Sequence, residues 1–257
     1  MTIWVILLTI AILAAITVVI VLVLHLEQPW LQPWAILRAT MQLGILTLIL
    51  SSVIRSDRWV AVFLCVMVLA ASWVVFRRLR VAWRYLPLFI GSIAFAAAIP
   101  GVVVFATGAV PFSPRYVLAV GGIVIGNTMT VSTLMGRSMV GLLVAQRDEI
   151  EAWLSVGATP RRAARRAIRS AASTSLIPST DQTRTTGIVT LPGAFVGAVF
   201  AGASPLAAAE FQLIVLAAIL TAGAVTVGVF TVIFGAPRYL PLEEASLGHR
   251  SVGRANP

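Results

Sequence analysis

The sequence predicts an all-α fold, a polytopic bundle of transmembrane helices, and its composition and patterning carry that prediction. Of the 257 residues, 59% are hydrophobic and only 11% are charged, and the mean hydropathy is +0.98. A soluble domain carries roughly 25% charged residues, so this chain has too little charge to cover a soluble surface. Its apolar residues also fall in blocks long enough to cross the roughly 30 Å hydrocarbon layer as helices. A soluble enzyme is thereby excluded.

Seven apolar blocks follow one another, and each predicts one span. They lie at residues 3–24, 34–54, 59–76, 86–107, 116–143, 187–203 and 211–234. The first block is uncharged and only Met1 and Thr2 precede it, so we expect an uncleaved span rather than a signal peptide. Residues 1–244 then form a transmembrane domain, and the polar stretch 245–257 is predicted to be a disordered cytoplasmic tail.

Individual blocks carry further signals. The second contains Arg38 and Gln42, and the fourth contains Pro100 followed by a glycine, which predicts a kink. The fifth is the longest and the most polar, with polar residues on several faces, which indicates burial in a bundle or contact with water. Ser204 and Pro205 break the chain between the last two blocks.

The arginines predict the orientation. All 19 basic residues are Arg, and most fall in the loop 77–85, in the loop 144–186 and in the tail after residue 235. With seven spans these regions lie on one side, and arginine-rich loops stay in the cytoplasm, so we expect the N-terminus outside and the C-terminus inside. The net charge of +10 is explained in the same way, and no nucleic-acid partner is expected. The expected location is the cell (plasma or inner) membrane, as a multi-pass protein.

The hydrophilic stretch 144–186 predicts two helices in a cytoplasmic loop. Acidic residues, Glu149 and Glu151 among them, open the first helix, and Gly157 is typical of a helix stop. Thr159 and Pro160 then predict the cap and first residue of a second helix. Its arginines, including Arg161 and Arg165, lie opposite a row of alanines. Such a basic amphipathic helix lies either on anionic lipid headgroups or against a cytoplasmic partner, and both interpretations stay open.

Several chemistries are excluded by missing residues. The chain contains no lysine and so no Walker A phosphate loop, which means that any ATP binds to another polypeptide. Cys65 is the only cysteine, which rules out an intrachain disulfide and a cysteine metal cluster. No nucleophile–base pair is recognisable, so we expect a protein that is not an enzyme.

Polar residues within the predicted spans are the candidates for a translocation pathway. Arg38 and Gln42 share a helix face, although an arginine near a span end can also snorkel to the interface. Asn127, Met129 and Thr130 lie on the fifth span. The alternative for asparagine and threonine is interhelical hydrogen bonding, and for methionine it is the filling of gaps. These side chains include no imidazole or carboxylate in metal-ligand spacing, so they predict no metal site, and metal ligands stay unassigned.

A set of short motifs resembles a known family. The run Glu151-Ala-Trp-Leu-Ser-Val-Gly157 resembles the loop by which membrane subunits of ABC transporters engage their ATPases, although Trp153 replaces the second alanine of that loop. Around it stand Leu37-Arg-Ala-Thr-Met-Gln-Leu43, Gly126-Asn-Thr-Met-Thr130, Gly157-Ala-Thr-Pro160, Leu176-Ile-Pro178, Thr186-Gly-Ile-Val-Thr-Leu-Pro-Gly193 and Ala201-Gly-Ala-Ser-Pro205. In this order they are similar to the Fet-type iron-export permease family of ABC transporters.

The resemblance implies a function. It implies a membrane-spanning permease subunit that exports iron or a related metal, pairs with a second copy of itself, and is energised by separate ABC-type ATPase chains. ATP-Mg would bind to those partners, and this chain would hold no cofactor. The residues implied in ATPase coupling are Glu149, Glu151, Ala152, Gly157, Pro160, Arg161 and Arg165.

The alternative function is an ATP-independent secondary transporter or channel for a small polar solute. Two features of the sequence argue against it. The chain shows no internal repeat, and it lacks the acidic residues within spans that usually couple transport to an ion gradient.

Overall fold

The computed structural model describes residues 3–25, 30–54 and 56–236, and these form ten α-helices. The helices are α1 (Ile3–Val23), α2 (Leu31–Val53), α3 (Asp57–Leu79), α4 (Leu86–Ala106), α5 (Pro114–Ala145), α6 (Arg147–Ser155), α7 (Pro160–Ala163), α8 (Arg165–Thr185), α9 (Gly193–Phe200) and α10 (Pro205–Phe234). Within these ranges the only β structure is one isolated bridge, between Thr186 and Thr190. The all-α prediction is confirmed. The predicted tail at 245–257 lies outside the described residues.

Six stretches of the described residues are long and apolar enough to cross a membrane. They are Trp4–Val23, Leu31–Leu50, Asp57–Leu79, Trp83–Ala106, Pro114–Ala145 and Pro205–Phe234. Five of the predicted blocks correspond to them within a few residues, and the sixth stretch, at the end of the described chain, contains the predicted block 211–234. The chain is a multi-pass membrane protein.

The predicted span at 187–203 is wrong. This block contains only α9, whose eight residues reach about 12 Å, far less than the hydrocarbon layer. Gly187 has a φ of +86°, and Pro192 caps α9 in an extended conformation, so the backbone turns before the helix can start. A single run of apolar residues is therefore divided into a turn and a short helix. The number of apolar spans in the described chain is six rather than seven, and the orientation stays a prediction.

The chain divides into two compact units at Trp59. In the first unit α1 packs against α2. Large apolar side chains on both helices are exposed, among them Trp4, Leu8, Trp34 and Leu43. Lipid tails are as apolar as such side chains, so this exposure is what a membrane-spanning pair requires.

In the second unit α5 and α10 are central and parallel. Tyr116 near the start of α5 contacts Phe211 near the start of α10, with ring centroids 5.5 Å apart. α4 runs in the opposite direction, because Phe89 near its start contacts Phe230 near the end of α10 at 5.9 Å. Phe89 and Phe230 belong to a buried core that also includes Met135 of α5.

Two glycines bring α3 close to α5. A Cβ placed on Gly136 would lie 2.6 Å from the end of the Leu79 side chain, and one on Gly121 would lie 2.9 Å from Leu64. Each glycine therefore provides the space that a leucine of α3 fills. Small residues at helix contacts are the usual means of packing in membranes, where the backbones must approach closely to gain dispersion energy.

The hydrophilic stretch 144–186 is mostly helical, as predicted, and its second half forms one long helix. α8 occupies 21 residues and packs lengthwise against α5 and α10. Its alanine face is buried in the same core as Leu143 and Ile150. The amphipathic pattern is confirmed, and the protein itself covers the alanine face. Contact of the exposed arginine face with lipid headgroups or with a cytoplasmic partner stays a prediction.

Candidate functional site

α6 and α7 form an exposed projection at the end of α5. α6 begins two residues after α5 ends, and its C-terminal residues Trp153, Leu154 and Val156 are exposed, Val156 by 75%. Isolated apolar residues on a surface are common, but three within four positions form a patch. We call this group the α6 patch. Apolar patches of this kind typically contact a membrane or another protein.

The joint between α6 and α7 has the geometry that the sequence predicted. Gly157 adopts a φ of +84° and donates its N–H to the Leu154 carbonyl at 3.0 Å. The Thr159 hydroxyl then accepts a hydrogen bond from the backbone N–H of Arg162 at 3.4 Å, with Pro160 as first residue of α7. A glycine stop followed directly by a capped start fixes the angle between the two helices.

α6 contacts the bundle through two neighbouring residues, Glu149 and Ile150. Arg166 of α8 lies 3.3 Å from the Glu149 carboxylate, an exposed ion pair worth less than about 1 kcal/mol. Ile150, on the next position of α6, is 2% exposed and packs in the main core. The buried isoleucine is therefore the stronger connection, and the ion pair orients it. Glu151 pairs within α6 instead, with Arg147 at 2.6 Å.

The residues predicted for ATPase coupling all lie on this projection or at the start of α8. Each of them is exposed: Glu149, Glu151, Ala152, Gly157, Pro160, Arg161 and Arg165. The structure therefore brings these residues onto one end of the second unit. Their contact with an ATPase stays a prediction.

A basic pocket opens beside the same end. Its volume is about 520 Å³, and its lining includes four arginines and the end of α10. The lining residues are Thr159, Arg161, Arg162, Arg165, Ile168, Arg169, Thr231 and Gly235. The last carbonyls of α10 carry partial negative charge and so offset part of the arginine repulsion. This surface fits an acidic partner.

A polar cluster joins three helices further along α5. Asn127 donates its amide N–H to the Ile219 carbonyl of α10 at 3.2 Å and accepts a hydrogen bond from the Ser179 hydroxyl of α8 at 2.9 Å. Gly223 faces the cluster, and a Cβ placed on it would lie 3.1 Å from the Leu176 side chain. Asn127 thus takes part in interhelical hydrogen bonding, and its place in a pathway stays a prediction.

A second polar pocket, of about 300 Å³, lies next to Asn127. Its polar lining comes from Asn127, Thr130, Ser175, Ser179 and Gln182. Thr130 bonds to its own helix at the Gly126 carbonyl, 3.1 Å away. The donors of this pocket are therefore hydroxyl and amide groups, which suit a neutral or weakly charged solute and hold a bare divalent cation poorly.

Three pathway candidates lie elsewhere. Met129 packs against the hydrophobic core and is absent from this pocket's lining, so it fills space there. Arg38 and Gln42 lie on α2 in the first unit, where both residues are exposed. Their place in a pathway stays a prediction.

Sequence reasoning missed the contribution of α8 to this cluster. Ser175 and Ser179 are buried at positions one turn apart, in register with Ala171 and Ala167. A small residue at every fourth position is a signal for close helix packing in membranes. That signal begins with the alanines of the predicted second helix and continues beyond them.

Grouped metal ligands do not occur in the described part of the chain: no three His, Cys, Asp or Glu side chains lie close enough together to hold an ion. Among the described carboxylates, Asp181 is the one on α8, where its side chain is exposed.

The family model that matches the chain is described as "Uncharacterised protein family (UPF0014)", and the match covers residues 4–239. The chain is 31% identical over 202 residues to UPF0014 membrane protein YjkA of Bacillus subtilis, covering 77% of this chain and 80% of that protein. It is 30% identical over 213 residues to a protein of Escherichia coli named "Probable iron export permease protein FetB", covering 80% and 82% of the two chains. It is also 31% identical over 195 residues to UPF0014 membrane protein STAR2 of Oryza sativa, covering 75% and 68%. No solved structure matches the chain.

Proposed function

The chain belongs to the uncharacterised protein family UPF0014, and from this membership we propose that it is the permease subunit of an ATP-driven exporter. Two copies of the chain form the membrane part, and a separate ABC-type ATPase binds ATP-Mg and drives the cycle. The resemblance of the short motifs to the Fet-type permeases is confirmed by the E. coli relative.

The observation that carries this proposal is the exposed projection of α6 and α7. It presents the α6 patch together with Glu151 and Gly157, and it stands next to the basic pocket. An apolar patch bordered by charged groups is the usual composition of a protein–protein contact. The ATPase would dock here.

The same contacts suggest how docking is transmitted. When two ATPases close on ATP they would displace α6, and Ile150 with the Glu149–Arg166 pair would carry that displacement to α8. α8 contacts both α5 and α10, so its movement would reach the polar cluster around Asn127. Rigid movement of packed helices is a common form of such switching.

Iron or a related metal is the proposed cargo, and the name of the E. coli relative supports it. The hydroxyl and amide lining near Asn127 offsets the dehydration of a divalent cation poorly. The metal would therefore pass quickly with weak contacts, or it would travel as a complex of lower charge.

Reconstitution tests this proposal directly. The chain is co-expressed with an ABC-type ATPase encoded by the same organism, and both are placed in vesicles with the ATPase facing outwards. We expect a stable complex, ATP hydrolysis stimulated by the permease, and ATP-dependent entry of radioactive iron. Vesicles that lack the permease provide the control. If no complex forms and hydrolysis is unchanged with every ABC-type ATPase of the organism, the proposal is overturned.

A further inference from the structure

α8 lies at the same depth as an apolar span. The depth of α8 in the membrane can be compared with that of the apolar span α4, which packs against α10 along most of its length. Phe89 near the start of α4 contacts Phe230 and Phe234 at the end of α10. At the other end of α4, Val104 packs in one cluster with Val215 of α10. The α10 residues from about 215 to 234 therefore lie at the level of the membrane span α4.

α8 follows nearly the same part of α10. At its start, Arg165 and Arg169 line a pocket with Thr231 and Gly235 of α10. Further along, Ser179 and Gln182 line a pocket with Ile219. α8 thus runs antiparallel to α10 from one end of the level defined by α4 almost to the other, about 25 Å along the helix.

The two faces of α8 differ in burial and in polarity. The face towards α5 and α10 consists of small buried residues, which permit close packing: Ala167, Ala171, Ser175 and Ser179. The opposite face is exposed and carries Ser173, Thr174, Ile177, Asp181 and Arg184. Its polar composition is why α8 falls outside the helices recognised as spans by hydropathy.

A charged helix face at membrane depth does not face lipid. Ionisable side chains there lie towards a bundle interior or a water-filled cavity, because the hydrocarbon layer offers them no partner. We infer that α8 is an additional, polar crossing of the membrane, that its exposed face lines the translocation pathway, and that the opposite wall is the same face of a second copy. This inference rests on the proposed function in taking the chain to be a transporter subunit.

A crossing by α8 is consistent with the arginine pattern. The six apolar spans together with α8 give seven crossings, which is the odd number that the arginines require. The segment 187–203 then returns the chain towards the start of α10 without crossing. The cytoplasmic loop shortens to α6, α7 and their connections.

Asp181 is the cation-attracting group of this pathway. Two copies would place two carboxylates at one depth, on the exposed face that also carries the hydroxyl groups of Ser173 and Thr174. Carboxylate oxygens offset the dehydration of a divalent cation, whereas neutral groups do so poorly. Arg184, three residues further on, adds a positive charge that keeps the ion from being held tightly, as passage requires. The ligand class is a divalent cation or a cationic metal complex.

Cysteine labelling tests the crossing. Single cysteines replace Ser173 or Ile177 in a Cys65→Ala background, with Phe95→Cys on α4 and Ala171→Cys on the buried face as controls. We expect a small water-soluble thiol reagent to modify Ser173→Cys and Ile177→Cys at least about tenfold faster than either control. Oxidation should also cross-link Ile177→Cys between copies. Labelling of Ile177→Cys as slow as that of Phe95→Cys, or no cross-link, overturns the inference.

Asp181→Asn tests the cation site, with Asp181→Glu as the conservative variant and Glu210→Gln, near the start of α10, as control. We expect metal transport at limiting concentration to fall about tenfold in Asp181→Asn only, equivalent to roughly 1.4 kcal/mol. Complex formation with the ATPase should be unchanged. Metal transport at the wild-type level in Asp181→Asn would show that Asp181 has no role in the pathway.

These experiments separate the inference from the proposed function. Labelling and cross-linking need no ATPase, so their failure beside a working transport complex overturns only the role of α8. A labelled and cross-linked α8 in a chain that forms no ATPase complex overturns only the proposed ATP-driven mechanism.

Discussion

At the scale of single residues, Gly157 is required for its backbone conformation and not for lack of space around it. Its φ is +84°, yet a Cβ placed there would meet nothing within 4 Å. A side chain would therefore strain the backbone by about 1–2 kcal/mol without any clash. The strain would be relieved by a changed angle between α6 and α7.

Gly157→Val should thus insert and fold normally while losing ATPase stimulation. Gly228→Val is the matched control, because Gly228 also has open space around it but lies within α10 at an ordinary φ. ATP hydrolysis in reconstituted vesicles measures the difference. Stimulation at the wild-type level in Gly157→Val would remove the α6–α7 joint from coupling.

A substitution at Asn127 can distinguish a role in helix packing from a role in the translocation pathway. Asn127→Leu removes two interhelical hydrogen bonds, each worth about 0.6 kcal/mol on average in membrane proteins. The free energy of unfolding of the detergent-solubilised protein should fall by only about 1 kcal/mol. If the amide also lines the pathway, transport should fall much further while ATP binding by the partner is unchanged.

Ser179→Ala is the control for Asn127→Leu, since it removes one of the two bonds and leaves the amide in place. Transport losses that only follow the stability losses of the two variants would reduce Asn127 to a packing residue.

Residue-scale prediction from sequence succeeded where the partners are close in the chain. The stop at Gly157 and the cap at Thr159 depend on neighbours within a few positions, so their geometry could be predicted. The bonds of Ser175 and Ser179 join residues 40 and 52 positions apart. No local pattern encodes which distant helix fills a particular face.

At the scale of elements, α6 depends on one buried side chain. Ile150 is the only buried residue of α6, whose other described residues are partly or fully exposed. Ile150→Ala should destabilise the docking of α6 by about 2–4 kcal/mol, the usual cost of such a truncation in a core. Coupling of ATP hydrolysis to transport should be lost with it.

Two control variants accompany Ile150→Ala. Leu154→Ala removes a 38% exposed side chain of the same helix, and Glu149→Gln removes an exposed ion pair worth less than about 1 kcal/mol. Protease sensitivity at the α6–α7 joint measures how firmly α6 is held against the helix bundle. Protection of Ile150→Ala equal to that of the controls would contradict the assigned role of Ile150.

Element-scale prediction was wrong at one block and incomplete at one helix, for one physical reason. Hydropathy records what a segment contains and not what it packs against. The apolar block 187–203 was taken for a span, although Gly187 and Pro192 interrupt it. The second helix of the stretch 144–186 was predicted, but its continuation to Thr185 and the burial of its small-residue face by α5 and α10 were not.

At the scale of the whole molecule, the assignment of cargo can be tested in cells. If the chain exports iron, cells that lack it should accumulate iron and become more sensitive to peroxide, because excess Fe(II) generates damaging radicals from peroxide. Total cell iron and survival measure this, with the wild-type gene restored as control. Normal iron content in the deletion strain would reject iron as cargo and leave the permease assignment in place.

The orientation of the whole molecule is set by charge and can be tested without any transport assay. The arginine distribution predicts that the turn between α4 and α5 is outside and that α6 is in the cytoplasm. In a Cys65→Ala background, an impermeant thiol reagent should label Ala109→Cys on intact cells and Ser155→Cys only after the membrane is opened. Both positions are exposed, so a difference in labelling reports the side of the membrane and not burial. Labelling of Ser155→Cys on intact cells would contradict the predicted orientation. It would place α6 outside, where a cytoplasmic ATPase could not reach it.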